Sequence, residues 1–311
     1  IPPSSAIPAP AGNRRVITVA AVAALGGFLF GFDSSVINGA IPGIVAQYNT
    51  SPATTGFTVS IALIGCAVGA WFAGRIADRI GRIKVMTLAA GIFILSAVGS
   101  AFPGGVQGLM FWRLVGGLAI GTASVIAPAY IAEIAPAHLR GRLGSLQQLA
   151  IVTGIFIALL TGFVIAHAAG SASQDWLFGV EAWRWMFLAE IIPAVVYGLA
   201  ARTIPESPRY LIGKGDVAQA QLVLASVGQD AGDATIRQIQ ASMDGAIKQI
   251  MDQLFKLSLT LPNQPMEGRG KPFSLRADFR RSEENVRFHA VLSSQKVQVK
   301  DSQLSLRMAL N

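Results

Sequence analysis

The sequence predicts an all-α, polytopic membrane protein with six transmembrane helices and further helices after the sixth. Three observations carry this expectation. About half of the 311 residues are apolar (52%), while 14% are charged. From Val16 to Arg202 the chain runs as apolar stretches with short breaks, each near the roughly 20 residues a helix needs to cross the hydrocarbon core. The stretches are continuously apolar rather than alternating. That favours helices over closed barrels, the two structures that satisfy their own backbone in lipid.

The spans fall at about 16–40, 54–74, 84–103, 106–132, 143–167 and 183–203. Arg14 and Arg15 precede the first. Arg75, Arg79, Arg82 and Lys84 follow the second, Arg140 and Arg142 the fourth, and Arg202, Arg209 and Lys214 the sixth. The loops after spans one and three hold no Lys or Arg, and that after span five none until Arg184. Basic loops stay in the cytoplasm, so both termini are expected there, with the chain in the cell membrane. Residues 1–15 open on a Pro-rich stretch expected to be disordered, and a first residue of Ile suggests that the start is missing or processed. The first apolar run is long and more spans follow it, which does not fit a cleavable signal peptide.

The net charge of +8 does not suggest nucleic acid, because the basic residues sit in loops and the C-terminal tail. Cys66 is alone, which excludes an intrachain disulfide, and it lies mid-span, where packing is its expected role. The spans occupy 16–203, and linker helices are expected over 204–261 on the cytoplasmic side. The first is read from Asp216 to Gly228. The second starts near Asp233 and places Ile236, Ile239, Met243, Ile247, Ile250 and Leu254 on one stripe. It packs under the bundle or lies on the lipid surface. Residues 262–311 are polar and basic, and disorder is the default reading there.

Three motifs narrow the class. The loop between spans two and three reads GRIADRIGRIK. Its Gly74 and Gly81 permit tight turns and close approach, and Asp78 can cap the next helix or pair with an arginine. This spacing resembles the loop motif of the major facilitator superfamily. Arg113, Gly116, Gly117, Gly121, Pro128, Tyr130, Glu133, Arg140 and Gly141 resemble the sugar-porter pattern, and PESPRYL (Pro205 to Leu211) resembles that family's next cytoplasmic motif. The resemblance runs from Val16 to about Gly228. It implies the N-terminal six-helix bundle of the major facilitator fold, and proton-coupled sugar uptake by alternating access. It implies no enzyme and no cofactor. His138, His167 and His289 are too scattered for a metal site, and no Ser/His/Asp set or carboxylate pair suggests hydrolysis.

Charges inside the spans are expensive and need partners. Arg113 lies about eight residues inside the outer end of span four, or roughly 12 Å deep. Asp33 in span one and Glu190 in span six come out roughly 10 Å deep. One base and two acids at a common depth fit a proton relay, or a static ion cluster that fixes helix packing. In proton-coupled members of the family the span-one Asp carries the proton and the span-four Arg tunes it. Phe30 resembles the aromatic residue against which the sugar packs, and Gln148 resembles the glutamine that hydrogen-bonds its hydroxyls. Otherwise Phe30 is a packing aromatic and Gln148 an interhelical bond. Ile155 stands where some members have a second polar residue. At the inner helix ends, Asp78, Arg82, Glu133, Arg140, Glu206 and Arg209 are candidates for a cytoplasmic gate, with solvated surface pairs as the alternative.

The family has twelve spans, and the expected seventh is missing here. The tail after Pro262 resembles nothing in it, which a frameshift would explain. The chain is therefore expected to be a truncated transporter that requires its C-terminal half or a second half-transporter. The expected partners are a monosaccharide, protons and the lipid bilayer. A transporter of a polyol or organic acid, and a membrane receptor or subunit that does not transport, are the alternatives.

Overall fold

The computed structural model describes residues 11–136, 138–245, 275–282, 285–292 and 295–299. The chain divides into two compact units, Ile1–Arg237 and Gln238–Asn311. Six stretches of the first unit are long and apolar enough to cross a membrane. Five are single helices: α1 (Ala11–Tyr48), α2 (Pro52–Ile80), α3 (Arg82–Ala101), α4 (Val106–Ile134) and α5 (Arg140–Ala169). The sixth is made of two, α6 (Ala182–Ala189) and α7 (Ile191–Ala201). Short helices α8 (Pro208–Gly213) and α9 (Val217–Ser226) follow, then a helical stretch over 233–245. Of the amphipathic stripe expected there, Ile247, Ile250 and Leu254 lie outside the described residues.

The surface of the bundle is apolar. Leu63, Trp71, Phe156, Phe163 and Ile192 are all exposed. An exposed apolar belt of this extent is stable against acyl chains rather than water, so the chain is a multi-pass membrane protein.

Local chemistry sets the helix ends. Ser51 caps α2, its Oγ accepting from Thr54 N at 3.2 Å, and Pro52 follows where the missing N–H costs nothing. Ser207 and Pro208 repeat the device at α8, and Asp216 caps α9 through Gln219 N at 3.2 Å. The sixth span differs from the uninterrupted helix that its apolar run predicts. It breaks at Glu190, three residues before Pro193. A proline has no N–H and clashes with the carbonyl four residues back, here that of Ala189. The chain tightens through the break, with Glu190 N donating to Phe187 O at 3.1 Å.

Two helix pairs dominate the packing, α2 with α4 and α1 with α5. Both are seated on glycine. A Cβ at Gly65 or Gly69 of α2 would collide with the Leu114 or Leu118 carbonyl oxygen, and one at Gly117 or Gly121 of α4 with those of Ala62 or Cys66. In the second pair Gly31 meets the Ile151 carbonyl oxygen and Gly154 that of Phe28. Without a hydrophobic drive between helices in lipid, such backbone contact supplies the attraction. One buried cluster of the core includes Phe32, Val36, Ile37, Ile44, Leu109, Trp183, Met186 and Phe187.

Arg184, the basic residue out of step with the loop pattern, is pinned at the start of the sixth span. Its Nε donates to Glu181 Oε2 at 2.6 Å, its Nη1 to Ala101 O at 2.6 Å, and it lies 4.7 Å from the Trp183 ring centre. Burial raises the Glu181 carboxyl, but its own backbone N–H and the Arg184 guanidinium outweigh this and hold it below its ordinary value.

Within 262–311, where the sequence reading expects disorder, the described residues of the second unit form a three-stranded antiparallel meander. Its strands are β1 (Leu275–Ser282), β2 (Asn285–Leu292) and β3 (Gln295–Val299), in the order β1-β2-β3. The register sets Phe279 opposite Phe288 and Phe288 opposite Val299. The sequence alternates around these positions, a short period-two pattern that polar and basic neighbours mask.

Candidate functional site

Two clusters of charge lie in the first unit, one inside the membrane bundle and one at its arginine-rich end. The inner cluster is centred on Arg113. Its Nη1 donates to Asp33 Oδ1 at 2.5 Å and its Nη2 to Oδ2 at 3.1 Å, a bidentate pair between α4 and α1. Both side chains are almost wholly buried, at 3% and 4% exposure, which removes the solvent screening that weakens surface pairs. The guanidinium carbon sits 5.8 Å from the Phe187 ring centre. Glu190, 2% exposed, lies within electrostatic reach of both Asp33 and Arg113. It hydrogen-bonds to neither, and its Oε1 has no partner among the described residues, nor does Arg113 Nε. The break in the sixth span therefore carries a carboxyl into the apolar core next to an ion pair already satisfied two-for-two. That arrangement leaves one carboxyl without a hydrogen-bond partner of its own beside a closed pair.

Phe30 is half-buried on α1 and heads a stripe at four-residue spacing that continues through the exposed Ser34 and Asn38. Gln148 is exposed on α5 and makes no hydrogen bond among the described residues. Its neighbour Gln147 is the buried glutamine, at 8% exposure, turned towards Gly27 of α1, with its Oε1 unpartnered. Ile155, seven residues or about two turns beyond Gln148 along α5, is half-buried.

The second cluster ties α2, α3 and α4 to the segment after the sixth span. Arg82 donates from Nε and Nη2 to Glu133 at 3.1 and 2.9 Å, and its Nη2 also pairs with Asp78 at 3.0 Å. Glu133 in turn accepts from Ser207 Oγ at 2.5 Å. Glu206 accepts from the backbone N–H groups of Arg82 at 3.0 Å and Ile83 at 3.2 Å, and so caps α3 with a carboxylate where the helix dipole favours one. Gly81 makes this approach possible: its φ of 96° is a left-handed value, and a Cβ there would strike Glu206 Oε2. Gly74, read from sequence as a turn residue, instead lies within α2 with open space around it. Arg140 is exposed and Arg209 half-buried, and neither forms an ion pair among the described residues. The ties seen here lie within this one bundle.

Sequence reasoning missed three further members of this cluster. Tyr130 OH donates to Pro205 O at 2.5 Å, Ser207 bridges to Glu133, and Gln229 Nε2 donates to Ile134 O at 2.8 Å at the end of α4. Tyr130, Pro205 and Ser207 stand in the motifs quoted above, but only the three-residue spacing of Tyr130 and Glu133, which puts both on one face of α4, hints at a contact. Replacing Glu206 by alanine leaves two backbone donors at the start of α3 unpaired, an expected cost of about 1–3 kcal/mol. Hydrogen exchange reads it directly: the Arg82 and Ile83 amides should lose protection in E206A while mid-helix amides of α3 keep theirs.

The family model described as "Sugar (and other) transporter" matches residues 19–263. The chain is 55% identical over 243 residues to a glucose transport protein of Synechocystis sp., covering 78% of this chain and 52% of that protein. It is 36% identical over 259 residues to the D-xylose-proton symporter of Escherichia coli K12, covering 75% and 52%. Among solved structures it resembles the major facilitator superfamily proton:xylose symporter XylE bound to 6-bromo-6-deoxy-D-glucose. That likeness has a TM-score of 0.71 and 35% identity, over 76% of this chain and 55% of that one. The partially occluded inward-open form of the E. coli transporter matches with a TM-score of 0.69 and 33% identity, over 79% and 64%. The chain spans about half the length of the curated relatives it matches.

Proposed function

Because the chain belongs to the sugar transporter family of the major facilitator superfamily, we propose that it forms the six-helix half of a proton-coupled monosaccharide transporter. The observation that carries this reading is the buried Asp33–Arg113 pair with the unpartnered Glu190 carboxyl beside it. A neutral channel or receptor has no need of titratable groups at this depth, and a symporter needs one that gains and loses a proton with conformation. In this reading Arg113 holds Asp33 ionised in one state. Rocking of the bundle against a second half loosens the pair and lets Asp33 take a proton, with Glu190 as its exchange partner. Phe30 and Gln148 contact the sugar on the face that the second half covers, which gives the exposure of Gln148 a purpose. Asp78, Arg82, Glu133 and Glu206 form the rigid inner end on which Arg140 and Arg209 meet that half. The arginine-rich ends lie in the cytoplasm of a cell-membrane protein, with α8 and α9 on the same side.

The test is uptake of labelled D-xylose and D-glucose into proteoliposomes holding this chain, alone and with the C-terminal half of a relative supplied in trans. Uptake that collapses with a protonophore, and in D33N loses accumulation while keeping sugar binding, is the expected result. Saturable uptake untouched by the protonophore would remove proton coupling. Failure of every sugar in a panel to bind or compete would remove the sugar assignment.

A further inference from the structure

We propose that the outward face of α3 is a binding site for one anionic phospholipid of the arginine-rich leaflet. A groove of about 620 Å³ runs along this helix, lined by Ile83, Lys84, Thr87, Leu88, Gly91, Ile92, Leu95 and Arg202. Its chemistry is divided by depth. Lys84, in the first turn of α3, and Arg202, just past the end of α7, stand at one end, and the remainder is apolar apart from Thr87. The Thr87 hydroxyl is spent on its own helix, donating to Ile83 O at 3.0 Å.

The dimensions match one lipid tail. Lys84 and Leu95 are eleven residues apart, about 16 Å along a helix, and half a hydrocarbon core is about 15 Å. The groove thus reaches from headgroup level to the bilayer midplane, the span of a single leaflet. Gly91 makes its floor: nothing stands within 4 Å of where a Cβ would lie, while Leu88 and Leu95 on either side are exposed walls.

Charge selects the headgroup. Neither Lys84 nor Arg202 joins an ion pair among the described residues. Glu206 already caps the start of α3 through the Arg82 and Ile83 amides, so the headgroup charge is drawn by the two basic side chains and not by the helix end. A phosphodiester between Lys84 and Arg202 bridges the two cations. Basic pockets between spans at the cytoplasmic side hold anionic headgroups by this means. A zwitterionic lipid fills the same groove but brings its own cation to a site that already has two.

The experiment places the full chain in nanodiscs of equal phosphatidylglycerol and phosphatidylcholine, releases it, and counts retained lipid by native mass spectrometry. One phosphatidylglycerol should remain, preferred over phosphatidylcholine by about twenty-five-fold, the product of two basic residues each worth about fivefold near a surface. The pair Lys84→Gln and Arg202→Gln should abolish the preference. Both residues are exposed, so folding is not at stake. Gly91→Leu should weaken retention with both charges in place. Equal retention of the two lipids, or unchanged retention in the double variant, would overturn the site. Displacement of the lipid by millimolar inorganic phosphate would overturn the lipid assignment in favour of a free anion. The leaflet rests on the orientation proposed above, but symmetric nanodiscs offer both leaflets alike, so an error in orientation leaves this result standing.

Discussion

Replacing Arg113 by methionine is expected to destabilise the bundle by about 3–5 kcal/mol, the usual cost of leaving one member of a buried ion pair without its partner. Both Nη groups are committed to Asp33, and both side chains are buried, so neither solvent nor a neighbouring base can take over. Most of that loss is a penalty on the stranded carboxylate. The double variant D33N/R113M should therefore recover most of the wild-type stability, because a neutral amide and a thioether of similar volume need no counter-charge. Thermal unfolding in a mild detergent measures the cycle. Additive effects of D33N and R113M would mean that the two residues are not coupled, and the ion pair would then have no standing as a switch.

The second large effect runs against helix propensity. Alanine is the better helix former by about 1 kcal/mol, yet Gly117→Ala is expected to destabilise by about 1–3 kcal/mol, the range for overpacking. The added methyl meets the backbone of Ala62 and Cys66, which cannot swing aside as a side chain would. Gly144→Ala in α5, where nothing lies within 4 Å, is the control and should be neutral or slightly stabilising. If both substitutions stabilise alike, the α2–α4 contact is looser than described.

The six spans were legible because the membrane demands long, continuous apolar runs that composition shows directly. Arg113 and Asp33 were legible for the opposite reason: a charge inside such a run is conspicuous, and helical rise converts position into depth. Glu190 was nominated by the same count, but its setting was not. The break that carries it depends on a proline three residues further on clashing with a carbonyl behind it, and prolines are often absorbed in spans without a break. The arginine-rich cluster was legible only as a set of charged residues near helix ends. Its real partners are backbone N–H groups and hydroxyls contributed by segments distant in sequence, such as Glu206 on Arg82 and Ile83, and no local pattern announces them. Gln148 and Gln147 show the limit of reading a side chain by type. Adjacent and identical, they face open space and a packed neighbour respectively, which only the seating of α5 on α1 decides. The strands after 274 escaped notice because their alternation is short and interrupted by basic residues.

The seating of α1 on α5 and of α2 on α4 also fixes an order of events during synthesis. Each glycine face finds its mate only after at least one other span has emerged. The face of α1 waits through three intervening spans, and that of α2 through one. A chain leaving the ribosome thus holds two half-joints open in the bilayer at once. The fourth span closes the α2–α4 joint and the fifth closes the α1–α5 joint, and the Asp33–Arg113 bond cannot form before the fourth has entered. Until then Asp33 is a lone acid in lipid. The insertion machinery must shelter α1, or release it late, for the bundle to assemble.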